Sequence, residues 1–303
     1  ALKSNEIKQM ENTVKMLGDR EITIDIAQKL SSLDDTQKYQ FLRSLNRPKV
    51  SEYMESLFYN SLLSGPSTNI VNFGSNALNM LLTPIRKGIT AGFETVVAPL
   101  QQRAKIVYPG EIGQYIWGLS QGLTDGVRKA IFSLQYGFTP EQLTKFELSK
   151  SEVGGLLMNL PSRLMIATDR LFYHINWTGE LNSLAFRKAK QEALQGKEFW
   201  GKIAELVTNP TDEMLKMAEN SSKYNIFRKE PGNFMKRLYA IRNYEMGQTG
   251  IRPIRYILPF METPMNITKY GFEHSPLGFI SAIKTKGIET SEQLAKATIG
   301  SIV

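Results

Sequence analysis

The residues able to do chemistry in this chain are few and far apart. Its only histidines, His174 and His274, are widely separated, and neither has a second ligand at the spacing one helix face would give it. Cysteine is absent, which removes disulfides, thiolate metal sites, iron–sulfur clusters and cysteine nucleophiles together. A zinc site built from His and Cys therefore cannot be assembled. His174, flanked by Phe172, Tyr173, Ile175 and Trp177, reads as a packed imidazole.

The carboxylates offer no better pair. Asp169 and Glu180 face the same way on a helix, about three turns and roughly 16 Å apart, beyond the ~5–9.5 Å of glycoside hydrolysis. Each is expected to pair with a base such as Arg170 or Arg187. Glu55-Ser56-Leu57-Phe58 resembles the Glu-Ser-x-Phe of soluble lytic transglycosylases, but the Gly-Leu-Met-Gln block of that family is missing; Asn72-Phe73-Gly74-Ser75 stands in its region. No phosphate-binding glycine loop is present. Gly113, Gly118, Gly122 and Gly126 sit four or five apart in an apolar stretch, a spacing that lets helices approach closely.

The elements that must position these residues are helices. Apolar residues recur at 3.6-type spacing, and neither β alternation nor an Asn-Gly or Asp-Gly hairpin turn is found. The fold class is therefore all-α: an irregular multi-helix assembly with long amphipathic helices. Thr139-Pro140-Glu141-Gln142, Asn209-Pro210-Thr211-Asp212 and Thr263-Pro264 read as helix starts. Three regions are expected: N-terminal helices over 1–64, a central long-helix region over 65–208, and a basic helical region over 209–303. Ser64-Gly65-Pro66-Ser67 breaks the chain before a helix whose line Phe73, Gly74, Ala77, Leu78, Leu81, Leu82 and Ile85 is apolar. Its opposite side carries Asn72, Asn76, Asn79 and Thr83, and Pro84 should kink or end it. Further helices are read over 111–137, over 161–195 and from Ser291 to the end.

Residues 56–85 carry no charge. Asn60, Asn69, Asn72, Asn76 and Asn79, with Gly65 and Pro66, argue against a permanent membrane span and for ordinary burial. Insertion within a helical assembly, where amides pair between helices, is the alternative. The opening Lys3, Glu6, Lys8 and Glu11 exclude a signal-peptide core at that point.

Net charge is +8 over 303 residues, and most of the excess is local. Between Lys223 and Tyr270, nine bases stand against Glu230, Glu245 and Glu262. Arg228, Lys229, Lys236, Arg237, Arg242, Arg252 and Arg255 are the candidates for nucleic-acid or other anionic contact. Aromatic residues interleave with them, a pattern that suits stacking on bases and equally suits a helical core. Asn69-Ile70-x-x-Phe73-Gly74 and Asn266-Ile267-x-x-Tyr270-Gly271 share one pattern, which marks Asn69, Phe73, Gly74, Asn266, Tyr270 and Gly271 as candidate helix-docking residues.

Three segments occur together: Ser61–Asn72 running on to Leu78; Leu160-Pro161-Ser162-Arg163 with Asp169-Arg170-Leu171-Phe172 and Glu180–Ala189; and Leu258–Ile267 with Tyr270-Gly271 and Ser275-Pro276. In this order they resemble a helical domain of the large polyvalent and internal virion proteins of tailed bacteriophages. Met261-Glu262 departs from that family's more basic or apolar pair. The resemblance implies a structural internal virion protein, with no catalytic residue, cofactor or metal, that takes part in genome ejection. It implies other virion proteins (portal, tail or ejection proteins) as partners in an oligomeric assembly, with packaged DNA and the host membrane on delivery as further contacts. The location implied is the virion, then the host cell envelope. The alternative is a DNA-binding module or a non-catalytic scaffold segment of a larger polyvalent phage enzyme.

Overall fold

The structure, a computed structural model, describes residues 50–136, 155–229, 233–247 and 251–302. The expected Thr139 cap and the helices of residues 1–49 lie outside them. Every described element is helical: α1 (Val50–Leu63), α2 (Pro66–Leu100), α3 (Glu111–Tyr136), α4 (Gly155–Gln191), α5 (Gly196–Thr208), α6 (Asp212–Asn225), α7 (Asn233–Arg242), α8 (Pro253–Ile257), α9 (Glu262–Glu273), α10 (Leu277–Ile283) and α11 (Ile288–Ile302). The chain is all-α, as its periodicity requires.

It divides into two compact units. The first gathers Ala1–Pro66, Ser133–Ile166 and Arg237–Pro259; the second gathers Ser67–Phe132, Ala167–Lys236 and Phe260–Val303.

Local signals set most helix ends. α2 begins on Pro66, whose missing N–H costs nothing in a first turn. Thr211 caps α6 by accepting from the Met214 amide at 3.3 Å, which places Pro210 before the cap. Thr263 does not cap its helix: α9 starts at Glu262 after Met261, and Pro264 falls inside the first turn, where it is tolerated. Pro84 does not end α2, which runs on to Leu100. Side-chain bonds brace the chain on both sides of it, from Thr83 to the Asn79 carbonyl at 2.8 Å and from Arg86 to the Thr83 hydroxyl at 3.2 Å.

In the second unit α4 is buried on nearly every side. One face is apolar: Leu181, Leu184, Ala185 and Ala189 pack with Phe199, Ile203 and Leu206 of α5 and with Met214 and Ala218 of α6. The 3–4 spacing of Phe199, Ile203 and Leu206 makes α5 an amphipathic cover. Against α3 the contact is made by glycine. A Cβ on Gly118 would stand 2.6 Å from the Thr178 carbonyl oxygen and 2.7 Å from the Gly179 Cα, and Gly122 and Gly126 meet Thr178 and Leu171 in the same way. Gly113 faces open space.

α2 reverses the usual arrangement. The sequence led us to expect burial of its apolar line, yet Asn76, Asn79, Thr83 and Thr90 are at most 3 % exposed while Ile70, Leu78, Leu81 and Ile85 are all more than half exposed. Arg86 and Glu94 continue the polar line at helical spacing, with Lys87 beside it, and all three find partners inside the unit. The polar side can be the buried one because its ionic groups are partnered there, which offsets the cost of taking them out of water.

Candidate functional site

The polar interior of the second unit is its most distinctive feature, built where α2, α3, α4, α6 and α9 meet. Glu111, the first residue of α3, reaches back to the Tyr108 amide at 3.0 Å, the acidic half of a capping box. It also takes two bonds from Arg187, at 3.0 and 2.8 Å, and one from Ser183 at 3.1 Å. This carboxylate is fully buried and fully coordinated. The Glu111 carboxylate and burial act in opposite directions on Arg187; burial is the larger single influence, but the combined pull of the carboxylates raises its pKa.

Asp169 accepts from Arg228 at 2.6 Å and from Asn72 at 3.2 Å; Glu180 accepts from Lys87 at 3.0 Å and from Ser221 at 3.3 Å. Their partners thus come from other helices, not from the neighbouring Arg170 and Arg187 expected first; Arg187 acts on Glu180 through its field. Between these pairs runs an amide chain. Asn79 donates to the Asn225 carbonyl at 2.6 Å, Asn225 donates to Asn176 at 3.0 Å, and Tyr115 donates to Asn176 at 2.7 Å. Glu94 anchors the end of α2: Arg103 donates twice, at 2.9 and 2.6 Å, the Ile106 amide once at 2.9 Å, and Ser291 once at 2.6 Å. Burial opposes ionisation of Glu94, but these bonds outweigh it and hold the carboxyl down to about 2.

Both histidines lie in this interior. Burial, then the fields of Lys129 and Arg170, push His174 down to about 3; its Nδ1 is 3.4 Å from the Lys129 ammonium. His274 stacks on Tyr270 at 3.8 Å between centroids and is pushed down to about 4, chiefly by burial. Two neutral imidazoles and a strongly acidic carboxyl fix the sign of the pH response. The unfolded chain binds more protons than the folded one below the ordinary histidine value of 6.5, and again below 4.5 for Glu94. Stability is therefore whole above pH 6.5 and falls as pH drops toward about 3. Urea midpoints measured at pH 7.5, 6, 5 and 4 should decrease in that order, and His174→Gln should flatten the upper part of the decline.

Of the seven candidate bases, four have internal acidic or carbonyl partners. Arg242 is 1 % exposed and donates to Tyr59 and to the Leu258 carbonyl at 2.7 Å each, and to the Pro259 carbonyl. Arg255 is buried on Glu55 at 2.6 Å, and Arg252 lies 3.8 Å from Glu55 and 3.7 Å from Glu245. Arg228 is engaged by Asp169. Lys229 and Arg237 are exposed, and the Lys236 side chain is outside the described residues. Arg242, Arg252 and Arg255 thus come together inside the first unit, as internal partners of Glu55 and Tyr59.

Of the docking candidates, Tyr270 donates to Asn79 at 2.8 Å and Asn266 donates to the Phe227 and Lys229 carbonyls at 2.9 and 3.2 Å. Phe73 meets Phe172 edge-on at 5.1 Å while remaining half exposed, and Asn69 is half-buried. Gly74 and Gly271 both face open space, whereas Tyr270 bonds Asn79 and Phe73 meets only a ring, so the aromatic position is not used the same way twice. Sequence reasoning missed Glu94 and Glu111 as anchors of the interior, and it gave Arg187 a different carboxylate from the Glu111 it bonds. The signal for the first was the run Asn72, Asn76, Asn79, Thr83, Arg86, Thr90 and Glu94 at spacings of three and four.

Among the described residues no group of three or more acidic or histidine side chains could hold a metal ion, and no helix is long and apolar enough to cross a membrane. What the arrangement can do is hold helices in register around a closed polar network while presenting apolar side chains outward. No protein family, curated protein or solved structure shows a detectable match to the chain.

Proposed function

We propose that this chain is a structural, non-catalytic component of a tailed-phage particle that works by packing its outward helix faces against neighbours and travels with the genome on ejection. The observation that carries the packing role is the inverted α2: a 35-residue helix whose charges and amides are turned inward and whose outward line is apolar. A surface of this kind marks an interaction site. The phage setting comes from the three ordered segments in the sequence.

Two other readings are weakened by the geometry. A DNA-binding module needs bases free to meet phosphate, and Arg228, Arg242, Arg252 and Arg255 are held by internal partners. A wall-degrading enzyme needs an accessible acid, and Glu55 is 2 % exposed beneath Arg255. Quantitative mass spectrometry of purified particles tests the proposal. The chain should be recovered at a fixed copy number relative to the portal protein, and its absence from intact particles would overturn the reading.

A further inference from the structure

We propose that Arg86, Lys229 and Lys296, gathered around the Tyr224 ring in the second unit, bind a small tetrahedral oxyanion of the phosphate class. This rests neither on the packing role nor on the phage setting.

The site begins from an imbalance of charge. Lys87, Arg103, Arg187, Arg228 and Lys296 each have a carboxylate at 3.0 Å or less. Arg86 does not. It is 9 % exposed; its Nη2 donates to the Asn225 side-chain oxygen at 2.8 Å and to the Thr83 hydroxyl at 3.2 Å, while its Nη1 is buried with no acceptor. Both partners are neutral. A guanidinium does not shed its proton inside a protein, so the charge stays where it lies. Enclosing an ion without an opposite charge is strongly unfavourable. A water molecule would satisfy the hydrogen bond and leave the charge.

Two more cations stand close by. From the centre of the Tyr224 ring, Lys296 Nζ is 4.2 Å away, Arg86 Cζ 5.5 Å and Lys229 Nζ 5.8 Å. Glu273 is the carboxylate bonded here, and it is already shared: it accepts from the Tyr224 hydroxyl at 2.5 Å and from Lys296 at 2.9 Å, with Lys269 at 3.8 Å. Glu292 acts on Lys296 through its field. Lys229 is exposed and forms no ion pair among the described residues. The ring attracts cations, but near 6 Å that attraction is at its limit, and a ring supplies no net charge. After burial, the fields of Arg86 and Lys296 both push His274 down, the mark of a positive local potential.

The geometry selects the anion. Arg86 lies on α2, Lys229 just after α6 and Lys296 on α11. Donors on three separate segments need acceptor oxygens pointing several ways, which a tetrahedral oxyanion has and a halide lacks. Size narrows the choice further. The buried Nη1 is out of reach of a rigid duplex resting on the surface, whereas a small ion can enter beside exposed Lys229.

Inorganic phosphate is the probe. Equilibrium dialysis of the full-length chain at pH 7.5, with ionic strength held constant by sodium chloride, should find one phosphate per chain. Arg86→Met should abolish saturable binding. Lys229→Met should weaken it at least about tenfold, the loss of one charge-assisted bond. Lys197→Met, exposed on α5, should bind like the parent. The parent Tm should rise by roughly 2–4 °C for each tenfold increase in phosphate above the dissociation constant, and Lys229→Met should need about tenfold more phosphate for the same rise. Because Lys229 is exposed, its variant keeps the fold and decides the matter even where Arg86→Met fails to fold. No saturable binding, unchanged affinity in Lys229→Met, or displacement of phosphate by chloride each overturns the proposal. Displacement by duplex DNA at equal phosphate concentration also overturns it, by assigning the bases to a nucleic-acid backbone. Any of these results leaves the packing role standing, and absence of the chain from particles leaves the anion site untouched.

Discussion

Arg187→Ala should cost about 3–5 kcal/mol of stability in a urea titration, because it leaves the Glu111 carboxylate buried without its counterion. The Ser183 hydroxyl and the Tyr108 amide remain to Glu111, but both guanidinium bonds are lost. No water can reach a group that is 0 % exposed unless α3 lifts from α4. The same principle predicts the recovery. Glu111→Met combined with Arg187→Met removes both charges at similar volume and should return to within about 1–2 kcal/mol of the parent, since a buried pair contributes little beyond a good apolar packing of the same space. A single variant within about 1 kcal/mol of the parent would show that water relieves the carboxylate, and that the interior is not closed as described.

The second large effect is expected at the glycines of α3. Gly118→Ala puts a methyl group into the backbone of α4, at 2.6 Å from one carbonyl oxygen and 2.7 Å from the Gly179 Cα. Backbone cannot rotate aside, so the helices must separate, at a cost of about 2–3 kcal/mol after the gain in helix propensity is included. Gly122→Ala meets the Thr178 side chain at 2.9 Å and the His174 carbonyl at 3.1 Å, a milder clash because part of the obstacle is a side chain. Gly113→Ala meets nothing and should be neutral or stabilising by up to about 1 kcal/mol. Thermal melts of the three alanine variants should therefore rank Gly118 lowest, then Gly122, then Gly113. Any other order contradicts the way α3 sits on α4.

These two sites also show what the sequence could reveal. The glycine spacing was readable, and so was close helix approach, because the steric argument depends only on α3 itself. The separation of α2 into an amide line and an apolar line was readable for the same reason. Which line points inward was not. Both have helical periodicity, and the choice is made by groups far along the chain: Asp169 for Asn72 and Asn76, Asn225 for Asn79 and Arg86, and Tyr270 for Asn79.

Charge counting has the same blind spot. It registers Arg242 and Arg255 as bases but not that Tyr59 and Glu55 receive them, 183 and 200 residues earlier. The helix start near Asn209-Pro210-Thr211-Asp212 was legible but its cap was not: Thr211 caps the helix, not the Asn209 that stands before the proline, and at Thr263 α9 starts a residue earlier. Short-range causes can be read from one stretch of chain; pairing across the unit requires the fold.

An outward apolar line on α2 should be covered where the protein acts. Carbene labelling with a small diazirine, read residue by residue by mass spectrometry, compares the free chain with the chain in its purified native setting. Leu78, Leu81 and Ile85 should label heavily in the free chain and fall several-fold in the native setting, while Asn76 and Asn79 stay unlabelled in both. Equal labelling of the three apolar residues in both states, or heavy labelling of the asparagines in the free chain, would contradict it.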